Sequence, residues 1–205
     1  MESQYLAEAT SVINGCVTQL LGLIAQVDGW KDLGDNDGVR GSQTTTPDGK
    51  QLIRSIGILN FSPEQLAAFI FDNSKKKSWD GMLDESSIVV SFSDSFRIMY
   101  ERFAAPWPVS YRDFVFACRS IQRDDGILLV AKSIEAGVAE KSGVVRGELI
   151  TSGFYLKRLG ENVTEMTYLV CMDPKGMLPG FIVNQLGKKQ CLNVNKIRHV
   201  MGKPS

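Results

Sequence analysis

A chain of 205 residues is long enough to bury a sizeable core without disulfide or metal staples. Hydrophobic residues make up 43 % and charged ones 22 %, which excludes a disordered or fibrous chain. Lys plus Arg and Asp plus Glu both number 23, so a whole-chain electrostatic grip on nucleic acid is not expected.

The charge is unevenly placed. Residues 1–100 carry a net −5 and residues 101–205 a net +5. Beyond Pro174, Lys175, Lys188, Lys189, Lys196, Arg198 and Lys203 meet no acid, which makes a local basic surface. Cys16, Cys118, Cys171 and Cys191 are widely spaced and His199 is the single histidine. That spacing offers no metal motif and fits free thiols in a reducing compartment. Met1-Glu2-Ser3 lacks the basic start of a secretory signal. Ala9 to Val27 is uncharged, but Thr10, Asn14 and Gln19 interrupt it too often for a membrane span. A cytoplasmic location is expected.

The first predicted element is a helix over about 3–27. Leu6, Ala9, Ile13, Cys16, Leu20, Leu23 and Val27 follow at alternating steps of three and four and form one apolar stripe. Trp30–Leu33, Val39–Thr46 and Gln51–Asn60 read as short antiparallel strands separated by Asp-Asn-Asp-Gly and Pro-Asp-Gly turns. Ser62-Pro63-Glu64-Gln65 is a helix start, with Ser62 as cap, Pro63 in the first turn and Gln65 three past the cap. Lys75 to Asp80 makes a further short turn or helix.

Strands then dominate: Ser87–Phe92, Ser95–Ala104, Asp113–Arg123, Ile127–Ile134, Val144–Arg158 and Asn162–Asp173. Pro106 and Pro108 exclude the stretch around Trp107 from a central strand, so it is a loop carrying an apolar tryptophan. The last element, over about 178–201, is helical. Ile182, Leu186, Gln190, Asn193, Ile197 and Val200 share its face. Burying this set calls for a strongly bent antiparallel sheet folded around the C-terminal helix. Such a sheet can enclose a cavity.

Three stretches carry a resemblance. They are Pro106-Trp107-Pro108-Val109-Ser110-Tyr111-Arg112-Asp113-Phe114-Val115, then Val145-Arg146-Gly147-Glu148 with Ser152-Gly153-Phe154, then Asp173-Pro174-Lys175-Gly176-Met177-Leu178-Pro179. In this order they resemble the START domain, the lipid-transfer family related to the steroidogenic acute regulatory protein. The resemblance implies an α+β helix-grip fold over residues 1–205 as one domain, with an internal lipid tunnel and no catalytic cofactor. The loop at Pro106, Trp107 and Pro108 and the last helix would form the lid. Many members carry a second arginine six residues after the one at Arg112. Here that position is Cys118, and Arg119 comes one later. Strict strand alternation turns Arg119 to the other face, unless a bulge restores it.

Candidate ligand contacts follow. Arg97, Met99, Glu101 and Phe103 share one strand face, as do Met166, Tyr168 and Val170 on another strand. If the first face points inward, Arg97 and Glu101 form a buried polar pair. Ile182, Leu186, Gln190 and Asn193 offer the helix side, with Gln190 and Asn193 as amides that need partners when buried. Arg112 and Asp113 are expected to pair with each other and shape the loop base. Trp107, Lys188 and Lys189 are expected to dock transiently on an anionic membrane surface. These residues suggest a monomeric protein that holds one sterol, phospholipid or ceramide and exchanges it with membranes. The alternatives are an interaction or lipid-sensing module without transfer and, last, an enzyme in a similar fold. No G-x-S-x-G nucleophile elbow or G-x-G-x-x-G phosphate loop occurs to support the enzyme.

Overall fold

The computed structural model describes residues 2–105, 109–178 and 180–203. Helix α1 (Glu2–Ala25) is followed by β1 (Lys31–Asn36), β2 (Val39–Thr45) and β3 (Gln51–Leu59). Helices α2 (Pro63–Phe71) and α3 (Lys76–Trp79) come next, then β4 (Leu83–Ser93), β5 (Phe96–Phe103), β6 (Tyr111–Arg123) and β7 (Gly126–Ser133). The chain closes with β8 (Val144–Arg146), β9 (Glu148–Gly160), β10 (Val163–Asp173), α4 (Gly180–Cys191) and α5 (Asn193–Met201).

The strands form one curved sheet in the order β1-β2-β3-β10-β9-β7-β6-β5-β4. Every pair along that path is antiparallel. Strand β8 lies off the path and pairs in parallel with β6. The predicted strand Val144–Arg158 is therefore two strands. They part at Gly147, whose N–H bonds the Asp113 carbonyl at 2.9 Å. Phe114 lies so close to Gly147 that an added Cβ would meet its ring at 2.5 Å.

Strand alternation sends two sets of side chains to opposite faces. On the outer face Ile98, Val115, Ala117, Leu128 and Leu169 pack with Ala9, Ile13, Cys16 and Leu20 of α1. These four helix residues are at most 1 % exposed, so the predicted stripe is the docking face. Its ends fall outside, with Leu6 43 % and Val27 83 % exposed. Gly153 sets how closely α1 approaches, since a Cβ there would lie 2.4 Å from Leu20 Cδ2 and from the Leu129 carbonyl oxygen.

The inner face is covered by α2, α3, α4 and α5. At α2 the predicted capping box is present: Ser62 Oγ accepts from Gln65 N–H and Gln65 Oε1 accepts from Ser62 N–H. Leu59, Leu66, Leu156, Met166, Val194 and Ile197 form a packed cluster under α2 and α5. The predicted single C-terminal helix is interrupted at Leu192. There the chain makes a tighter bond, Leu192 N–H to the Lys189 carbonyl at 3.2 Å, before α5 begins.

Candidate functional site

Away from that cluster, the inner face and its helical cover do not meet. Between them lies a partly open cavity of about 180 Å³. Met99, Phe103, Phe114 and Phe116 from β5 and β6 supply apolar walls, joined by Leu129 and Ala131 of β7. Phe154 of β9 and Tyr168, Val170 and Met172 of β10 continue them. The helices add Phe71, Trp79 and Leu186. Phe154 stacks on Tyr168 with ring centres 4.5 Å apart, and Trp79 meets Phe154 edge-on at 6.2 Å.

Most of the expected residues reach this cavity. Arg97, Met99, Glu101, Phe103, Cys118, Tyr168, Val170, Leu186, Gln190 and Asn193 all line it. Met166 and Ile182 do not. Met166 is fully buried in the cluster under α2 and α5, at the end of the inner face where no gap is left. Ile182 is also buried but off the cavity; in α4 only Leu186 and Gln190 line it among the described residues. A four-residue step on a helix advances about 6 Å, so an apolar stripe easily outruns a small cavity.

Arg97 and Glu101 point inward but do not pair with each other. Four strand residues separate them by roughly 13 Å, too far for contact. Arg97 donates instead to the Phe71 carbonyl and lies over the Phe71 ring, 4.1 Å from its centre. Glu101, 3 % exposed, takes the Lys76 ammonium at 2.7 Å; the Ser86 hydroxyl lies 3.3 Å from it but has its nearer acceptor in Asn73 Oδ1. Burial opposes the charge on Lys76, but Glu101 and Asp80 outweigh it and raise its pKa. The sequence reading missed Lys76, which sits in a run of three lysines that looks like solvated surface. Its only local signal is Trp79, three residues on, which marks one face of the run as buried.

Strand β6 runs in unbroken register with β5 from Arg112 to Arg119. No bulge brings Arg119 inward, and its guanidinium stacks over Phe96 on the outer face, 5.1 Å from the ring centre. Cys118 is thus the inner-face residue. Burial pushes its thiol up to about 11, although neighbouring Arg97 pulls the other way.

Gln190 and Asn193 find neither strand backbone nor isolation. Gln190 Oε1 accepts both Tyr168 Oη at 2.8 Å and Asn193 Nδ2 at 2.9 Å. Burial, with Asp80 adding to it, raises the Tyr168 pKa. The cluster ties the helix break at Leu192 to the middle of β10.

Arg112 and Asp113 do not pair with each other, because adjacent strand residues face opposite ways. Asp113, 1 % exposed, takes Arg146 Nε at 2.7 Å and an Nη at 3.2 Å. Arg112 donates to the carbonyls of Ser110 at 2.5 Å and Pro174 at 3.3 Å. It therefore ties the stretch before β6 to the turn between β10 and α4. Pro106, Trp107 and Pro108 lie outside the described residues. Ala105 and Val109 on either side line the cavity, as do Pro174 and Leu178 of the other loop. Lys188 is exposed and Lys189 half-buried, and neither lines it.

The turn into α4 is held by charge. Burial works against ionisation of Asp173, but hydrogen bonds from Lys50 and Lys175 prevail and hold its carboxyl at about 2. The Lys50 contact is 2.7 Å. A depressed folded-state pKa stabilises above the unfolded value near 3.8, and that contribution disappears as pH falls toward 2. In urea titrations Asp173→Asn is expected to be less stable than the parent at pH 6 and equal to it near pH 2. An equal gap at both pH values would refute this role for the carboxylate.

A curved sheet closed by C-terminal helices over a mostly apolar cavity, with a few fixed polar groups, defines a protein of the helix-grip fold. The chain belongs to the START domain family, whose sequence model matches residues 18–202. It is 28 % identical over 174 residues to steroidogenic acute regulatory protein of Xenopus laevis, covering 81 % of this chain and 61 % of that protein. It is 26 % identical to phosphatidylcholine transfer protein of Mus musculus, covering 73 % of this chain and 72 % of the relative. An uncharacterised Pseudomonas aeruginosa protein is 30 % identical over 47 % of this chain and 48 % of its own length. The chain thus spans about half to three fifths of two of the relatives it matches. In fold it matches human StAR-related lipid transfer protein 5 with a TM-score of 0.86 at 22 % identity, covering 96 % of this chain and 99 % of that one. Among the described residues no helix is long and apolar enough to cross a membrane.

Proposed function

We propose that the chain works as one unit that binds a single lipid in this cavity and exchanges it with membranes. The partly open, mainly apolar cavity between sheet and C-terminal helices carries the reading. Burying a lipid's hydrocarbon there is worth roughly 25 cal/mol for each Å² removed from water. Relatives named for lipid transfer support the same conclusion.

The reading is of a binding protein rather than an enzyme. His199 is exposed on α5 and does not line the cavity, so no imidazole serves as a base there. A cytoplasmic monomer that touches anionic membranes transiently fits the basic C-terminal segment. Met177 supports the membrane contact. It is fully exposed in the loop that leads into α4, next to the cavity-lining Leu178.

The test is native mass spectrometry of the protein purified from cells, followed by transfer between donor and acceptor vesicles. A one-to-one lipid adduct and transfer of that lipid are expected, with transfer slowed several-fold in Met177→Glu. A lipid-free mass that persists after incubation with sterol and phospholipid vesicles would overturn the proposal. Binding without transfer would favour a sensing module.

A further inference from the structure

Only one serine or threonine in the sequence directly follows consecutive basic residues: Ser78, after Lys75-Lys76-Lys77. The fold divides that run between two surroundings. Lys76 turns inward to Glu101, while Lys75, Lys77 and Ser78 are exposed. The next residue, Trp79, is 4 % exposed, lines the cavity and meets Phe154 edge-on. A solvent-facing hydroxyl, with exposed cations one and three residues before it, thus sits on the back of a turn that lines the cavity.

That hydroxyl has a structural task. Ser78 Oγ donates to the Lys75 carbonyl at 2.6 Å, and Ser78 N–H bonds the same carbonyl at 2.9 Å. Helix α3 is four residues long, and Lys75 before it makes no side-chain cap bond. A single helical turn has little cooperativity to hold it. It is held besides by Asp80 N–H on the Lys76 carbonyl at 2.9 Å and by the inward contacts of Lys76 and Trp79.

We propose that Ser78 is a phosphorylation site for a kinase that reads basic residues, and that the phosphate releases α3 from the cavity. In the transfer, Ser78 Oγ bonds the γ-phosphorus of a nucleoside triphosphate as the bridging P–O bond to the β-phosphate breaks. The nucleoside diphosphate leaves, and the hydroxyl proton passes to the base of the kinase. The product lacks the O–H that the Lys75 carbonyl accepts, and it carries close to two negative charges. They fall in the last turn of α3, where the helix dipole is already negative, two residues before Asp80. Pairing with Lys75 and Lys77 offsets little of this, because both are exposed. Release of α3 withdraws Trp79 from Phe154 and Lys76 from Glu101, and uncovers the cavity on that side. The site stands without the lipid-binding reading; its effect on a ligand rests on that reading.

The full chain is incubated with magnesium ATP and, in separate reactions, the cyclic-AMP-dependent kinase and protein kinase C. The products are mapped by peptide mass spectrometry. One phosphate on Ser78 is expected, and none in Ser78→Ala. Amide hydrogen exchange over residues 76–83 is expected to quicken roughly tenfold in the phosphorylated chain, with circular dichroism unchanged. In Ser78→Ala, which loses the hydroxyl bond and gains no charge, exchange there should quicken no more than about twofold. Lipid occupancy by native mass spectrometry, after incubation with vesicles of palmitoyl-oleoyl phosphatidylcholine and cholesterol, is expected to fall about fivefold on phosphorylation.

No phosphate on Ser78 from either kinase would overturn the site. A phosphorylated Ser78 with unchanged exchange over 76–83 would overturn the release of α3. Quickened exchange with unchanged occupancy would overturn the link to the cavity and leave lipid binding standing. A chain that takes up no lipid before phosphorylation would overturn the lipid-binding reading and not the site, which the phosphate map and the exchange decide.

Discussion

Ala131→Trp is expected to reduce lipid binding at least tenfold while the protein stays folded. Ala131 lies on β7 between Cys118 of β6 and Ser152 of β9, and it lines the cavity. An indole at this position takes up room in the cavity that a ligand must otherwise fill. Overpacking a tight core costs about 1–3 kcal/mol, and a pre-existing gap places this change at the low end. Lipid occupancy by native mass spectrometry, read beside a thermal melt, checks it. Full occupancy in a folded variant would move the ligand out of this cavity.

Asp113→Ala is expected to destabilise the chain by about 3 kcal/mol, because it strands the Arg146 guanidinium beside a buried position. At this chain length the melting temperature falls by about 2–4 °C for each kcal/mol. The surface pair offers the contrast. Asp84 bonds Arg102, but both side chains keep a quarter to a third of their exposure, 32 % and 26 %. Asp84→Ala should therefore change stability by less than about 1 kcal/mol. Similar losses for the two variants in urea unfolding would show that the buried Asp113–Arg146 pair contributes no more than a surface one.

The order of elements was legible because each carries its own local signal. The stripe of α1 has the helical period, Ser62 and Gln65 spell a capping box, and Asp-Gly pairs punctuate the strands. The inward set on β5 was legible as a set. Alternation groups Arg97, Met99, Glu101 and Phe103, but it does not say which side of the sheet is covered. That depends on α3, whose four residues carry no period of their own. The same gap hid Lys76 as the partner of Glu101. The pairing of Arg112 with Asp113 failed for the opposite reason. Nearness along the chain suggested contact, and strand geometry forbids it. The division of Val144–Arg158 depends on Phe114, and the break at Leu192 is tied down through Gln190 to Tyr168; both Phe114 and Tyr168 lie far away in sequence.

The break at Leu192 divides the C-terminal segment into two helices, α4 and α5. Val194 and Ile197 of α5 have no exposure, and Gly57 of β3 lets α5 press so close that a Cβ there would lie 3.3 Å from Val194. On α4, Leu186, Lys189 and Gln190 are only half-buried. Because the hydrogen-bonded ladder is already interrupted between them, the first half can swing about the second without rupturing a continuous helix. Its displacement would have to undo the Tyr168–Gln190 bond, uncover the buried Ile182 and part the close approach of Gly187 to Gln51 and Ile53 on β3, while the sheet and α5 keep their packing. Opening of α4, if it lets a ligand in, would then cost the contacts of that half and not the stability of the whole fold.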